Sequence, residues 1–572
     1  MLTSKFFQSA QPFKNWHLFV PKIVTALREG YGLHDFRADL IAALTVAIVA
    51  LPLSMALGIA SGATPAQGLI TVVIGGLLIS LLSGSRYQVG GPAGAFVVII
   101  YNIIEKHGYD GLVIATMMAG IMLLTAGLAR LGTWIKYIPQ PVVTGFTAGI
   151  AVIIFSSQIR DLFGLHIEKV PGDFFEKWTA FWHARDSYTA ASIAISAVSI
   201  AVIIAVRRFL PKAPGFLFAV AGASIAVWLL KIDVPTIGSA FGGIPRALPA
   251  PHWPSGIGFS TLRELLPSAF TIAFLAGIES LLCAVVADGM TGRRHRSNCE
   301  LVAQGVANFV CPLFGGLPAT GTIARTATNI RAGGRTPVSG ILHALIVLGF
   351  MLAFAPLANY IPLAALAAVL VIVAWNMSEL DRIRHLMRAP TGDRIVLLLT
   401  FFLTVTVDLT VAIQVGVVMA AILFMHRMSQ TVEMSTDISL LEGDVDDLRP
   451  RPRETYHADL PPGIEAYQIR GPFFFGVASH LLDILDHIQK MPRVFILRMG
   501  LVPLIDSSGE AALQEFIARC RKHGTTVILS RVQEQPGKVL ERMGLLNEEG
   551  ILQAPEFSEA LKTAREIINN PA

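Results

Sequence analysis

Charged residues are scarce in this chain of 572 residues, where Asp, Glu, Lys and Arg make up 15% of the total. An average soluble domain carries roughly 25%. Hydrophobic residues make up 53%, and the mean hydropathy is +0.60. A chain of this length cannot hide so much apolar surface in one soluble core, because large chains divide into domains with wet surfaces. The composition excludes an ordinary cytosolic enzyme, a disordered protein and a fibrous protein, and it predicts a multi-pass membrane protein.

Cysteine is also scarce, and the sequence lacks the common motifs of nucleotide and metal sites. Its four cysteines (Cys283, Cys299, Cys311 and Cys520) form neither a C-x-x-C pair nor a cluster with histidine, which disfavours a zinc site or a disulfide framework. No phosphate-binding loop of the G-x-x-x-x-G-K-[ST] type occurs, which disfavours an ATP-driven pump. We therefore expect no enzyme and no cofactor. The net charge of +5 is assigned to Lys and Arg in cytoplasmic loops and not to nucleic-acid binding.

Long charge-free runs predict the membrane spans, since a helix needs about 20 apolar residues to cross a bilayer. Leu40–Ser85 contains no Asp, Glu, Lys or Arg and breaks at Gly62-Ala-Thr-Pro65, which predicts two spans. The other runs with few or no charges are 87–104, 111–129, 137–159, 187–206, 213–230, 265–287, 301–324, 336–378 (split near Pro356–Pro362) and 395–425 (folded back at Asp408). With a short segment at 320–331, about fourteen crossings are predicted. Lys and Arg concentrate in alternate loops, which places both termini in the cytoplasm.

After the last apolar run, the sequence becomes richer in charged residues and proline. We predict a cytoplasmic N-terminal segment at 1–35, a transmembrane domain at 36–428, a linker at 429–460 and a soluble α/β domain at 461–568. In the last of these, strands alternate with helices, which favours a partly parallel sheet. The predicted strands are Ile464–Arg470, Val494–Met499 and Thr525–Ser530, and the predicted helices are Ser508–Cys520 and Pro536–Met543.

Two Gly/Pro-rich stretches interrupt the apolar runs, Val89–Phe96 and Gly315–Arg325. Non-helical backbone at membrane depth must be satisfied by protein or line a wet cavity. A helix that begins there points unpaired N–H groups and the positive end of its dipole into that cavity, which favours an anion. Two interrupted segments in matching halves are also typical of inverted-repeat transporters. The alternative interpretation is a pair of kinks or close helix contacts.

Three ionisable residues stand in this apolar sequence. Arg325, just inside the second short helix, is interpreted as an electropositive wall of the anion pocket, with a snorkelling arginine as the alternative. Glu279 interrupts the middle of an apolar span. A carboxylate is costly there, so Glu279 is interpreted as a proton-coupling group, with a structural ion pair or hydrogen bond as the alternative. His343 is interpreted as a packed histidine whose ring nitrogens are satisfied.

Several stretches together resemble the SulP family of anion transporters. The stretches that carry the resemblance are Gly62–Leu69, Gly84–Pro92, Glu279–Gly292 and Pro318–Asn329. The C-terminal part resembles the STAS domain through Asp506-Ser-Ser-Gly509, which follows a hydrophobic strand. The resemblance covers residues 30 to 568, and the stretch around Glu279 is most similar to bacterial members assigned C4-dicarboxylates. Other bacterial members, which carry bicarbonate with sodium, have Asp at the position of Glu279, so the glutamate favours coupling to H⁺.

This resemblance implies fourteen spans in two inverted repeats of seven, a core domain that moves against a gate domain, and a homodimer. The substrate-binding residues that it implies are Pro92, Ala93, Gly94, Thr322, Ala324, Arg325, Leu53, Leu57 and Leu275, beside Glu279 as the proton-coupling residue. Many members have a Gln after the first-span proline, whereas Leu53 follows Pro52 here, and many have an aromatic residue at the position of Leu57. The pocket is therefore expected to be less polar than in animal members.

The resemblance also implies that Ser507 or Ser508 of the STAS turn could accept a phosphoryl group. The alternative interpretation, which we favour, is a helix cap in which a serine at the start of the helix accepts backbone N–H groups.

We therefore predict a secondary active transporter of sulfate, bicarbonate or a C4-dicarboxylate in a bacterial inner membrane. It would be coupled to H⁺ rather than Na⁺, with elevator-like alternating access. One alternative is a membrane-anchored scaffold or sensor whose STAS domain binds a soluble protein partner. Another alternative is a passive anion channel.

Overall fold

The computed structural model describes most of the chain. The described residues are 16–133, 139–167, 170–210, 213–255, 258–407, 409–430, 433–435, 460–474, 481, 485, 491–547 and 550–569. Several sequence predictions fall partly or wholly outside these ranges: the start of the N-terminal segment, the first residues of the 137–159 span, the turn at Asp408, most of the linker and parts of the 461–568 domain. The chain divides into two compact units, residues 1–420 and 421–572.

Helices dominate the first unit. In chain order they are α1 (Lys22–Arg28), α2 (Leu33–Ala60), α3 (Pro65–Ile70), α4 (Leu77–Leu82), α5 (Val97–Leu128), α6 (Gln140–Phe163), α7 (Phe174–His183), α8 (Ala190–Phe209), α9 (Gly215–Leu230), α10 (Ile237–Phe241), α11 (Phe259–Thr291), α12 (Ser297–Val310), α13 (Ile323–Arg331), α14 (Val338–Ala358), α15 (Leu363–Met377), α16 (Leu380–Leu386), α17 (Thr391–Thr406) and α18 (Leu409–Gln430), the last of which crosses into the second unit. Two short strands, β1 (Gly90–Gly91) and β2 (Thr320–Gly321), interrupt this helical order.

Nine helical segments of the described residues are long and apolar enough to cross a membrane. The prediction of a multi-pass helical membrane protein is thereby supported, while the count of fourteen stays a prediction. Helices α9 and α17, with 16 residues each, are shorter than these nine. Large apolar side chains remain exposed on the helices, including Trp228 at 59% and Trp375 at 67%. An apolar exterior of this kind suits a lipid environment.

Helices end where the sequence predicts breaks. α2 ends at Ala60, and α3 begins at Pro65 after Thr64, whose hydroxyl accepts from Gln67 N–H while Gln67 Oε1 accepts from Thr64 N–H. This reciprocal cap with proline at the first helical position is a strong helix start. Within α5, non-helical backbone at Gly108 (φ 68°) separates two helical stretches, near the predicted boundary between 87–104 and 111–129.

The second unit contains a five-stranded sheet in the order β3-β4-β5-β6-β7. Its strands are β3 (Glu433–Ser435), β4 (Ile464–Arg470), β5 (Val494–Leu501), β6 (Thr526–Ser530) and β7 (Ile551–Ala554). Its described α-helices after α18 are α19 (Ser507–Lys522), α20 (Glu534–Met543) and α21 (Phe557–Asn569). β3 pairs antiparallel with β4, and all other pairs are parallel. The predicted α/β domain with a partly parallel sheet is confirmed.

Both faces of this sheet are covered, as parallel strands require. One hydrophobic cluster joins Phe495 and Leu497 of β5 to Phe516 of α19, and another joins Val494 and Ile496 to residues of α21, such as Ala560. Successive side chains of β5 thus point to opposite faces of the sheet and pack into two separate hydrophobic cores.

At the start of α19 the cap differs from the predicted serine cap. Asp506 is the N-cap, and its carboxylate accepts from Gly509 N–H at 2.8 Å. Ser507 and Ser508 lie in the first turn and are exposed. The serine-cap interpretation is therefore wrong, because an aspartate one residue earlier takes the backbone donor that the serine was expected to bind.

Candidate anion-binding site

The two interrupted segments meet in a short antiparallel ladder. Gly90 pairs with Gly321, and Gly91 pairs with Thr320. Beyond the ladder, the N–H and hydroxyl groups of Thr322 both donate to Val89 C=O, at 3.0 and 3.1 Å. The backbone N–H and C=O groups of two distant extended segments therefore hydrogen-bond to each other inside the helical unit. Backbone at membrane depth requires such internal partners.

A helix begins directly after each strand of this ladder. After β1, a 3₁₀ turn at Gly94–Phe96 leads into α5, and after β2, Thr322 is the N-cap of α13. Neither start, both of which lie wholly within the described residues, has a side-chain cap or an acidic residue in its first turn. Each start therefore presents backbone N–H groups and the positive end of a helix dipole, worth about half an elementary charge.

Close packing behind the ladder depends on glycine at two positions. A Cβ on Gly76, in the π-helical segment Thr71–Gly76, would lie 2.8 Å from Gly90 C=O. A Cβ on Gly91, whose φ is +156°, would lie 2.0 Å from Arg325 Nη1. The ladder can therefore approach the π-helical segment and the Arg325 side chain only because both positions lack a side chain.

Arg325 is buried beside the ladder, with only 1% of its surface exposed. Its Nη2 donates to Ser54 Oγ of α2 at 2.9 Å, and its Nη1 donates to Gly90 C=O at 3.4 Å. Its Nε is buried without a hydrogen-bond partner among the described residues. A snorkelling arginine would reach an aqueous surface, so this burial contradicts that alternative. The guanidinium places a positive charge directly behind the two helix starts.

Glu279 lies on α11 and is half-buried. Its Oε2 is buried, and no described residue donates a hydrogen bond to it. The opposite charges of Glu279 and Arg325 attract each other, while the two hydrogen bonds that Arg325 donates among the described residues go to Ser54 and Gly90. Burying a charged carboxylate whose oxygen accepts no hydrogen bond costs free energy. The protonated form of Glu279 is therefore favoured relative to the charged form.

The other predicted site residues lie around these groups. Leu53, Leu57, Ala93 and Leu275 belong to one hydrophobic cluster of buried residues. Pro92, Gly94 and Thr322 are also buried, whereas Ala324 is exposed. Apart from Thr322 and Arg325, the predicted substrate-binding residues are therefore apolar residues or glycine.

Three polar residues near the ladder were missed by the sequence analysis. Ser54 receives the Arg325 hydrogen bond, Gln88 Nε2 donates to Ser280 Oγ at 2.6 Å, and the fully buried Glu300 accepts from Ser280 Oγ at 2.8 Å. Glu300 directly precedes the charge-free run 301–324. In the sequence it therefore looks like a charged loop residue next to a span. The signal that could have found it is the four-residue spacing of Glu300, Gln304 and Asn308, which places all three on one helix face.

His343 does not match its prediction. The side chain on α14 is fully buried, as predicted, yet both ring nitrogens lack a hydrogen-bond partner among the described residues. The interpretation as a satisfied histidine is therefore wrong. The packing of α14 against neighbouring helices buries the ring without placing a described donor or acceptor within hydrogen-bond distance of its nitrogens.

The fold and the geometry described above define a multi-pass helical membrane protein with two discontinuous segments that pair in an antiparallel ladder, and with a second, α/β unit. Residues 36–400 match the model of the Sulfate permease family, and residues 457–564 match that of the STAS domain. The chain therefore belongs to the Sulfate permease family, whose members are transporters and not enzymes.

Known proteins similar to this chain are transporters by name. The chain is 41% identical over 524 residues to the protein of Bacillus subtilis (strain 168) named "Putative sulfate transporter YvdB", with 91% of this chain and 96% of the relative covered. It is 29% identical over 522 residues to the "Bicarbonate transporter BicA" of Synechocystis sp., with 89% of this chain and 90% of the relative covered.

Two solved structures share the fold. The murine Slc26a9 anion transporter in the inward-facing state superposes with a TM-score of 0.84 at 17% identity, covering 99% of this chain and 97% of that one. The transmembrane domain of the cyanobacterial bicarbonate transporter BicA gives a TM-score of 0.61 at 27% identity, covering 68% of this chain and 98% of that one. The first likeness concerns the fold alone.

Proposed function

We propose that this protein is a secondary active transporter that takes up a small oxyanion or C4-dicarboxylate together with a proton. The observation that carries the proposal is the β1–β2 ladder with an uncapped helix start on each side and the buried Arg325 behind it. Backbone N–H groups and helix dipoles from two segments then converge on one negative solute. The names of the relatives, sulfate transporter and bicarbonate transporter, support an anion of this class.

Arg325 contributes to this site through its charge. An arginine in the middle of a membrane costs about 2.5–3.5 kcal/mol or more. Glu279 attracts the guanidinium without a hydrogen bond to it in the described residues, and an incoming anion offsets more of that cost by placing negative charge near the guanidinium. Because Arg325 already donates to Ser54 and Gly90, its field attracts the anion while the backbone N–H groups make the direct contacts.

Glu279 is the proposed carrier of the coupled proton. Its Oε2 lacks a donor in the part of the chain that the structure describes, and protonation removes one negative charge beside the anion. A core that holds an anion and a neutral Glu279 crosses the membrane more readily than one with two negative charges. We propose H⁺ rather than Na⁺ as the coupling ion, and elevator-like movement of the core as the mode of access.

The remaining proposals concern the setting of the transporter. We propose a homodimer in a bacterial inner membrane with both termini in the cytoplasm. Lys and Arg are concentrated in alternate loops, which supports this orientation. The STAS unit would then face the cytoplasm, where a soluble partner or a kinase acting on the exposed Ser507 or Ser508 could reach it.

Uptake by the purified full-length protein in proteoliposomes tests the proposed function. Labelled sulfate, bicarbonate and succinate are each presented at external pH 6 and pH 8, with and without a protonophore, and protein-free liposomes serve as the control. We expect one anion to accumulate above its external concentration when the outside is acidic, and the protonophore to abolish this accumulation. Uptake that only equilibrates and ignores the protonophore would show a passive channel instead. No uptake of any anion would favour the membrane-anchored scaffold.

A further inference from the structure

Helix α12 carries a stripe of three polar residues inside the apolar unit. Glu300, Gln304 and Asn308 follow one another at four-residue spacing, so they share one face of the helix. All three are 0% exposed. Buried polar groups are costly unless they are hydrogen-bonded. The partners of this set, called here the α12 polar face, show what it holds in place.

Asn308 binds the peptide groups just before β2. Its Oδ1 accepts from Ala319 N–H at 2.9 Å, and its Nδ2 donates to Ala319 C=O at 2.8 Å. One side-chain amide thus pairs with both backbone groups of Ala319, as a neighbouring strand would. β2 and the start of α13 follow directly, so Asn308 fixes the approach of the chain to one of the two helix starts.

Glu300 is surrounded by hydrogen-bond donors. Its Oε2 accepts from Ser83 Oγ at 2.6 Å and from Gly84 N–H at 3.1 Å, and its Oε1 accepts from Ser280 Oγ at 2.8 Å and from Gln304 Nε2 at 3.0 Å. Four donors suit a carboxylate, which only accepts. Glu300 thereby joins the chain before β1 to α11 at the residue that follows Glu279.

Gln304 and Gln88 complete the connection to the other helix start. Gln304 Nε2 donates to Ser280 Oγ at 2.8 Å, and Gln88 Nε2 donates to the same oxygen at 2.6 Å. Gln88 immediately precedes Val89, whose C=O receives Thr322. The α12 polar face therefore reaches β1 through Ser280 and β2 through Ala319.

We propose that the α12 polar face is the positioning element of the anion site. Asn308 sets the position of β2 and α13, while Glu300 and Gln304 set that of β1 and Glu279 through Ser280. None of the three contacts the anion, and their effect on transport passes through the backbone that they hold. This inference rests on the proposed function, since it assumes that the two helix starts bind the transported anion.

A matched pair of asparagines on α12 allows a sharp test. Asn298 is also buried, at 7% exposure, and its Oδ1 accepts from a backbone N–H, that of Gly132, at 3.0 Å. Both asparagines lie on α12, and replacing either with alanine removes a side-chain acceptor from one backbone N–H group. Only Asn308 contacts the chain next to the ladder, so only Asn308→Ala should disturb the anion site. Both full-length variants are compared with the wild type in proteoliposome uptake and in hydrogen exchange followed by mass spectrometry.

We expect Asn308→Ala to raise the half-saturating concentration of the transported anion by about tenfold, because both buried hydrogen bonds to Ala319 that support the site are lost. The maximal rate of anion uptake changes less, because the proposed proton carrier Glu279 is not altered in this variant. Amides in 317–322 exchange faster in this variant. Asn298→Ala keeps the half-saturating concentration of the wild type and accelerates exchange near Gly132 instead.

Two results would overturn the proposal. One is an unchanged half-saturating concentration with unchanged exchange at 317–322 in Asn308→Ala, and the other is an equal rise in both variants, which would indicate a general loss of stability. If the wild type transports no anion, the proposed function fails, and exchange at 317–322 alone decides the positioning role. If Asn308→Ala does not fold, Asn308→Leu replaces it, since it keeps a side chain of similar volume, adds no charge and removes both hydrogen bonds to Ala319. A rise in half-saturating concentration then supports the proposal, and none overturns it.

Discussion

Ser54 Oγ accepts a hydrogen bond from Arg325 Nη2 at 2.9 Å while it donates to Ala50 C=O at 2.6 Å. Its single proton is thus committed to its own helix, and its lone pairs face the guanidinium. The bond ties α13 to the middle of α2, two residues after Pro52. Arg325 is thereby held in one orientation behind the ladder.

Arg325→Ala is expected to weaken anion binding by about ten- to a hundredfold, since it removes the buried positive charge whose field attracts the anion. Arg325→Lys keeps the charge and should lose less. Calorimetric titration of the purified protein with the transported anion measures both. An affinity for Arg325→Ala equal to that of the wild type would remove Arg325 from the site.

Ser54→Ala leaves Arg325 charged but removes an acceptor for Nη2. We expect a loss of anion affinity of about threefold and a lower melting temperature, because a buried donor is left without its partner. Thermal unfolding with and without the anion measures both effects. Ser224→Ala is the control, since Ser224 Oγ donates only to Val220 C=O of its own helix α9. Equal changes in the two variants would argue against a specific link to Arg325.

Glu279→Gln is expected to abolish the dependence of uptake on external pH while anion binding is retained. The amide imitates the protonated carboxyl group in shape and charge but cannot release a proton. Uptake in proteoliposomes at external pH values from 5.5 to 8 is the measurement, with calorimetric binding as the control for folding. A variant whose pH profile matches that of the wild type would show that another group carries the proton.

Gly91→Ala is expected to disrupt the site. The new methyl group would lie 2.0 Å from Arg325 Nη1, and the φ of +156° is one that other residues rarely adopt. Gly349→Ala on α14 is the matched control, because a Cβ there meets no atom within 4 Å. We expect Gly91→Ala to lower the melting temperature and abolish anion binding, and the control to do neither. Retained binding in Gly91→Ala would mean that Arg325 is free to move aside.

Cys520 offers a probe of the STAS unit. Burial raises the pKa of its thiol to about 12, so that little reactive thiolate exists at neutral pH. Alkylation by iodoacetamide at pH 7.5 should therefore follow unfolding of this unit and be negligible in the native protein. Peptide mapping after timed labelling, with and without denaturant, checks this. Rapid labelling without denaturant would show that the helix opens around Cys520.

Much of the architecture could be predicted because it depends on local patterns. The Gly62–Pro65 break, the split between α14 and α15 and the strand Ile464–Arg470 were each visible as a change in hydrophobic pattern or as Gly and Pro in sequence. The interrupted stretches were visible for the same reason. What could not be predicted is that Glu300 joins Ser83 and Ser280, since those contacts span 217 and 20 residues.

The sequence by itself determined that this protein lies in a membrane, where its helices break, and that an α/β unit follows. These properties depend on the transfer of side chains from water and on the conformational limits of Gly and Pro, which act over a few residues. Only the tertiary structure decided which partners Arg325 and Glu300 have, and that the ring nitrogens of His343 have none among the described residues. In a chain with so few polar side chains inside the apolar unit, hydrogen bonds between distant segments set those partners, and no periodicity along the chain encodes them.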